Sequence, residues 1–230
     1  MHQLEHPTIQ IYMKKIIISV ILVTGIFTTI LSNAKDCIST TGFIFGINAG
    51  YAAGFNKEEN ISTNSFSGNF KSGNINFGGF VGYDYAINKT FSFGAEVDLN
   101  YTPNIYKIDI YVPEAGSLTR KYNTLNFPLL ITGKATFPIG FNLFVKGGVN
   151  YQKISSRVTS CSDKLCDNAV DRNGNNWNGV LATGFGYQMS KFNIFAQYMY
   201  IFGNILSELT ERKSLAQGNI TAGISYVLAI

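Results

Sequence analysis

The stretch Phe77–Tyr101 alternates with a period of two, which an extended chain turns into two opposite faces. One row holds Phe77, Gly79, Val81, Tyr83, Tyr85, Phe91, Phe93, Ala95, Val97, Leu99 and Tyr101; the other holds Gly78, Phe80, Gly82, Asp84, Ala86, Ser92, Gly94, Glu96, Asp98 and Asn100. The division recurs along the chain. Phe43, Phe45, Ile47 and Tyr51 oppose Gly46, Asn48 and Gly50, and Leu125, Phe127, Leu129 and Ile131 oppose Asn126, Thr132 and Lys134. Ile220, Ala222, Ile224, Tyr226 and Leu228 oppose Asn219, Thr221, Gly223 and Ser225.

Eight alternating runs can be read: Gly42–Ala52, Ile75–Ile87, Phe91–Tyr101, Tyr122–Phe137, Phe141–Gln152, Trp177–Tyr187, Phe192–Phe202 and Gln217–Leu228. Three breaks are tight turns, at Asn88–Thr90, Pro138–Gly140 and Gln188–Lys191. Four are long and polar: Gly54–Asn74, Thr102–Lys121, Lys153–Asn176 and Gly203–Ala216. Strict alternation of short and long connections predicts an up-and-down antiparallel meander, with all short turns at one end and all long loops at the other. No linker or second domain is legible.

Packing decides which row faces in. An eight-stranded barrel has an interior just wide enough for side chains. The small and polar row fits there, and aromatics from nearly every strand do not. The aromatic row then faces outward as a continuous apolar belt, far larger than a protein surrounded by water tolerates. The solvent outside is therefore lipid, and Tyr83, Tyr85, Tyr101, Tyr151, Tyr187, Tyr200 and Tyr226 near strand ends suit interfacial girdles. The fold class is all-β: an eight-stranded antiparallel up-and-down transmembrane β-barrel.

This layout resembles the OmpA-type and opacity-protein family of eight-stranded outer-membrane barrels, over essentially all of the chain after its leader. Phe91–Tyr101, FSFGAEVDLNY, looks like the family's third strand, with Glu96 inward after a Gly-Ala step. Thr221, Gly223, Tyr226 and Leu228 resemble the last-strand signal read by the barrel assembly machinery, although Ala229-Ile230 follows where a terminal aromatic is commonest. The resemblance implies the outer membrane of a Gram-negative bacterium, a monomer, and outer-membrane lipid and lipopolysaccharide as surroundings. It also implies periplasmic chaperones and the assembly machinery as partners. Longer members carry a peptidoglycan-binding domain, and none is read here.

The beginning of the chain fits that destination. Lys14-Lys15 precede the apolar run Ile16–Leu31, and Ser32-Asn33-Ala34 supplies small residues where a signal peptidase reads. We assign residues 1–34 as a leader cut after Ala34 and residues 35–230 as the barrel domain. An uncleaved helix is the rival, but the run falls short of the roughly 20 residues of a span. Met1 and Met13 are alternative starts. Removing 34 of 230 residues leaves 196, with 16 basic and 13 acidic groups. No basic tract marks a nucleic-acid partner.

Cleavage also removes both histidines, His2 and His6. Barrel enzymes of this size use histidine as general base, so an enzyme is not expected; nor is a histidine-ligated metal or any other cofactor. Asp167–Trp177 has the flavour of a calcium loop, but aligning Gly174 with the invariant glycine puts Ala169 at the first ligand position. A tight turn at Asn173-Gly174 is the better reading. In an oxidising compartment Cys161 and Cys166 are disulfide candidates, with free thiols as the alternative. Asp36 before Cys37 argues against a lipid-anchored cysteine.

Five charges point into the expected interior: Asp84, Glu96, Asp98, Lys134 and Lys146. Counting from the Pro138–Gly140 turn puts the two lysines nearly opposite each other, so they need carboxylates close by. The expectation is an ion-pair network that plugs the barrel. The long segments mix charges of both signs with apolar residues that look exposed, such as Ile105, Ile108 and Val112. Loops on a rigid scaffold are where binding resides, so a host or environmental ligand there is one reading, and solvated loops with no dedicated ligand are an equal alternative. The sequence thus supports a structural or adhesin-like surface barrel, with a small porin as the alternative.

Overall fold

The computed structural model describes residues 40–54, 61–63, 66–112, 116–162, 173–203 and 216–229; the assigned leader and Cys37 lie outside this set. Ten strands form: β1 Gly42–Gly54, β2 Ile61–Thr63, β3 Phe66–Ser72, β4 Asn74–Ala86, β5 Phe91–Val112, β6 Gly116–Thr136, β7 Phe141–Cys161, β8 Asn173–Met189, β9 Phe192–Ile201 and β10 Gln217–Ala229. Eight of them run β5-β4-β1-β10-β9-β8-β7-β6, and the β5–β6 pairing closes the ring. Every pairing is antiparallel. The remaining two, β2 and β3, form a hairpin that adds to the far part of β5.

The short turns are made by local chemistry. In the first, the Asn88 side chain accepts the Thr90 and Phe91 amides at 2.8 Å each, an Asx arrangement that reverses the chain without glycine. In the second, Gly140 takes φ +88° and its amide donates to the Phe137 carbonyl at 2.9 Å. The third reverses at Ser190, with φ +56°.

The outward row is the apolar one. Ile47, Phe93, Val97, Ile131, Val145 and Ile224 are exposed, while Asn48, Glu96, Thr132 and Lys146 are buried. Aromatic contacts mark both edges of the belt. At the short-turn end Phe43 meets Tyr83, Phe141 stacks between Phe137 and Phe185, and Phe192 meets Tyr226. At the other end Phe77 meets Tyr101, Tyr151 bridges Phe127 and Trp177, and Tyr200 meets Phe202. From Phe141 to Tyr151 on β7 is ten residues, which at a tilt of about 40° spans about 25 Å, the height of a barrel's apolar band.

Two expectations need correction. Thr102–Lys121 is not a loop: β5, β6 and β7 are 22, 21 and 21 residues long, about twice the 9–11 residues that cross a bilayer. Their far halves rise above the belt as a sheet that continues into β3, and Lys153–Cys161 belongs to it. Ile105 and Ile108 are buried rather than exposed. They were misread because polarity inverts above the belt while the two-residue period continues. The side chain of Val112 lies outside the described set.

The inward row also carries apolar residues. Phe80, Phe144 and Phe195 point inward with Ile44 and Val227. Each ring lies over a glycine directly across the strand pair: Phe80 over Gly46, Phe144 over Gly184 and Phe195 over Gly223. A Cβ at those glycines would approach the rings to 2.2, 2.5 and 2.6 Å. Three aromatics fit a narrow barrel because three neighbours have no side chain.

Candidate functional site

The interior is built in two layers. The lower one, in the short-turn half, is ionic and aromatic. Lys134 donates to Asp84 and Lys146 donates to Glu96. Lys146 and Glu96 are 5% and 7% exposed, so the pair is fully withdrawn from solvent. The Lys146 ammonium also sits 5.1 Å from the centre of the Phe80 ring and 5.2 Å from that of Phe144, where ring quadrupoles attract a cation. The two lysines are not opposite each other. Lys134 pairs across the strands with Phe144, and Lys146 with Thr132, one inward step away. That offset lets each lysine take its own carboxylate from β4 or β5.

Asp98 forms no ion pair of its own among the described residues. It is 1% exposed and lies beside Glu96 and Asn100, within the field of Lys146. Its cross-strand neighbour on β4 is Phe80. The five interior charges are therefore two ion pairs and a third carboxylate, Asp98, that interacts with the Glu96–Lys146 pair. The void enclosed among Asp84, Glu96, Lys134, Lys146 and the three phenylalanines is about 40 Å³, room for a water or two and no larger solute.

The upper layer is a lattice of amides and hydroxyls that sequence reasoning missed. Gln217 on β10 is its centre. Its Oε1 accepts from Thr124 at 3.2 Å, and its Nε2 donates to Asn219 at 2.6 Å and to Thr102 at 3.4 Å. Asn76 donates to Thr102 at 2.8 Å, and Asn150 and Gln152 both donate to Asn126 at 3.2 Å. These bonds tie β4, β5, β6, β7 and β10 across the bore. The available signal was the inward run Asn126, Asn150, Gln152, Asn219, but uncharged amides do not announce a partner as opposite charges do. Beside it Leu130, Val180, Ala182, Met199 and Ile201 pack into an apolar patch on the wall.

Above both layers stands the sheet of β3, β5, β6 and β7. Its inner face is closed by Ala52, Ile105, Tyr106 and Ile154, with Tyr122 against them. Its outer face carries Lys107, hydrogen-bonded to Asp109 at 2.7 Å, and Thr119, which donates to the same carboxylate at 2.7 Å. Burial pushes the Asp109 carboxyl up, but the bonds from Lys107 and Thr119, with the charges of Lys107 and Lys71, outweigh it and hold the group below its ordinary value.

Cys161 ends β7 and is disulfide-bonded; Cys166 lies outside the described residues, as does most of the segment read against a calcium loop, and Asn173-Gly174, read as a tight turn, instead opens β8 in register with Ser155 and Ile154. Of the last-strand residues, Thr221 is buried and Gly223 lies under Phe195, whereas Leu228 is exposed on the lipid side and Tyr226 contacts Phe192 there.

No protein-family model matches the chain, and no curated protein is similar to it by sequence. Similarity appears in the fold. The crystal structure of the outer membrane protein OprG from Pseudomonas aeruginosa is 14% identical and matches over 85% of this chain and 100% of that one, with a TM-score of 0.51. Looser matches, both with TM-scores of 0.44, are Ail, the attachment invasion locus protein of Yersinia pestis, and Neisserial surface protein A. The first is 12% identical over 81% of this chain and 99% of that one; the second is 14% identical over 83% and 99%. With its closed ring of eight strands, its lipid-facing belt and its filled bore, the chain has the fold of the eight-stranded outer-membrane β-barrels.

Proposed function

We propose that this protein is a non-conducting surface barrel of the outer membrane, without catalytic activity, which displays a folded sheet outside the cell. One observation carries the reading: the bore is occupied at two levels, by the Asp84–Lys134 and Glu96–Lys146 pairs below and by the Gln217 lattice above. A solute entering from either end meets side chains bonded to one another. Long segments of outer-membrane barrels face outward from the cell, so the sheet of β3, β5, β6 and β7 is the part offered to the surroundings, as an adhesin-like or structural element.

Single-channel recording of the refolded chain in a planar lipid bilayer tests this. The expected record is flat from protein whose folding is verified by its heat-dependent gel mobility. Reproducible current steps would make it a small porin. One observation favours that second reading: Asp98, a buried carboxylate with no ion pair of its own among the described residues, is a group that water or a cation in the bore would solvate.

A further inference from the structure

One height in the bore belongs to neither layer. Followed around the ring from strand to strand, the row of paired residues that begins at Asn126 on β6 and passes Asn100 and Asn48 returns to β6 at Thr136, ten residues nearer the short turns. The row thus descends by about one and a quarter residues per strand, the stagger that accompanies strand tilt in a barrel. With that stagger Asp98 on β5, Asn48 on β1, Thr221 on β10 and Gln197 on β9 stand within about 3 Å of one height. The Gln217 lattice lies above them, and the Phe144 and Phe195 rings, in edge-to-face contact, lie below.

All four side chains are buried, none more than 5% exposed. Three of them carry atoms with no hydrogen-bond partner among the described residues: both amide atoms of Asn48, the Gln197 Oε1 and the Thr221 Oγ1. Buried polar atoms that the protein leaves unmet are satisfied by water or an ion.

The charge decides between the two. Asp84 and Lys134 balance each other, whereas Glu96, Asp98 and Lys146 leave one negative charge over. Every strand of the ring is described at this height, and Lys146 is the only basic residue that any of them brings near it. Water meets unpaired oxygens but does not neutralise a charge, and a buried charge without a counterion is strongly destabilising.

We propose that Asp98, Asn48, Thr221 and Gln197 bind one monovalent alkali cation inside the barrel. The donors are a carboxylate, two amide carbonyls and a hydroxyl, hard oxygens of the kind that replaces an ion's hydration shell. The excess charge is one, which a monovalent ion matches. No group of three or more His, Cys, Asp or Glu gathers among the described residues, as a calcium or transition-metal site would require. The ion needs no path through the bore, because the ring closes around it during folding. It gives Asp98 a counterion without making the barrel a channel, and in this the inference rests on the closed bore proposed above.

The chain without its leader is refolded from urea into phosphatidylcholine vesicles in sodium, potassium or choline chloride at equal ionic strength, and the folded fraction is followed against urea by gel mobility. Choline, a quaternary ammonium, is too bulky for the site. The folding equilibrium should be at least about tenfold more favourable in sodium or potassium than in choline, the linkage expected when the ion is present at about ten times its dissociation constant. Asp98→Asn, which removes the excess charge and keeps the shape, should abolish the difference and, in choline, fold at least as well as the unchanged chain. If that variant does not fold, Asn48→Ala, which removes one ligand, should shrink the difference.

Equal stability in all three salts overturns the proposal, as does a salt difference that survives in both variants. Stability that ignores the cation but climbs as pH falls, with the climb lost in Asp98→Asn, overturns it too: a proton shared by Glu96 and Asp98 would then balance the charge. Reproducible current steps in a planar bilayer overturn the closed-bore reading itself, an outcome distinct from a flat record without ion dependence.

Discussion

Two halves of β7 obey opposite rules. Below the girdle Val145 and Val149 face out while Lys146, Asn150 and Gln152 face in. Above it Lys153 and Arg157 face out while Ile154 faces in. On β5 the inversion occurs where the register with β6 shifts between Thr102 and Tyr106, with Asn104 at φ +46°. Hydrogen bonding and period are the same on both sides. What changes is the solvent. Lipid rewards an apolar exterior and leaves the bore to polar groups, whereas water outside the upper sheet restores the usual arrangement. The strand's pattern is thus a depth gauge, and the inversion level marks the membrane surface.

The contrast is tested most severely in the bore. Lys146→Ala leaves Glu96 charged and buried, a loss of about 3–5 kcal/mol. Urea unfolding of the bilayer-embedded protein should show it, while the apolar replacement Glu96→Gln/Lys146→Met should recover most of it. If the single variant is harmless, the lower layer is not held by that pair.

Next comes the belt. Val97→Arg on the lipid face should cost about 2–4 kcal/mol by the same measurement. Tyr111→Arg, also outward but on the upper sheet, should cost almost nothing. Equal costs would mean that the inversion level is misplaced.

Ile105 is fully buried in the base of the upper sheet, and Ile105→Ala should remove about 2–3 kcal/mol of local stability. Amide exchange should quicken in the far halves of β5 and β6 and stay unchanged in the belt. A uniform loss of protection would show the two halves to be one cooperative unit.

The smallest effect is one of pH. A carboxyl held below its ordinary value stabilises the fold above its unfolded pKa and loses that contribution as pH falls through the lowered value. Protection of amides around Asp109 should therefore decline below about pH 4, and Asp109→Asn should remove the dependence. The group is partly exposed, so screening keeps the effect modest.

The ring itself was legible because a period of two needs no knowledge of neighbours: Phe93 and Val97 against Glu96 and Asp98 already define two faces. The upper sheet was not. Beyond Tyr101 the aromatic row ends, and Lys107 and Asp109 in its place look like loop chemistry unless the change of solvent is known. Cross-strand facts were hidden for another reason. That Phe80 covers Gly46, or that four cations align from Lys71 to Arg157, depends on register between runs far apart in the chain. The nearly opposite placement of Lys134 and Lys146 failed by one inward step, and that step decides which carboxylate each receives.

The seam between β1 and β10 has a consequence for biogenesis. It joins Gly42 to Ala229 and continues, pair by pair, to Gly54 and Gln217. A chain lacking β10 is an open sheet with two bare edges, and hydrocarbon offers no partner to their amides and carbonyls. Entry into the bilayer one strand at a time, in order of synthesis, is therefore barred. The last strand made must meet the first before the ring can exist in lipid. Until then the chain travels as a polymer whose future exterior, rich in Phe, Tyr and Ile, must be kept from other copies of itself.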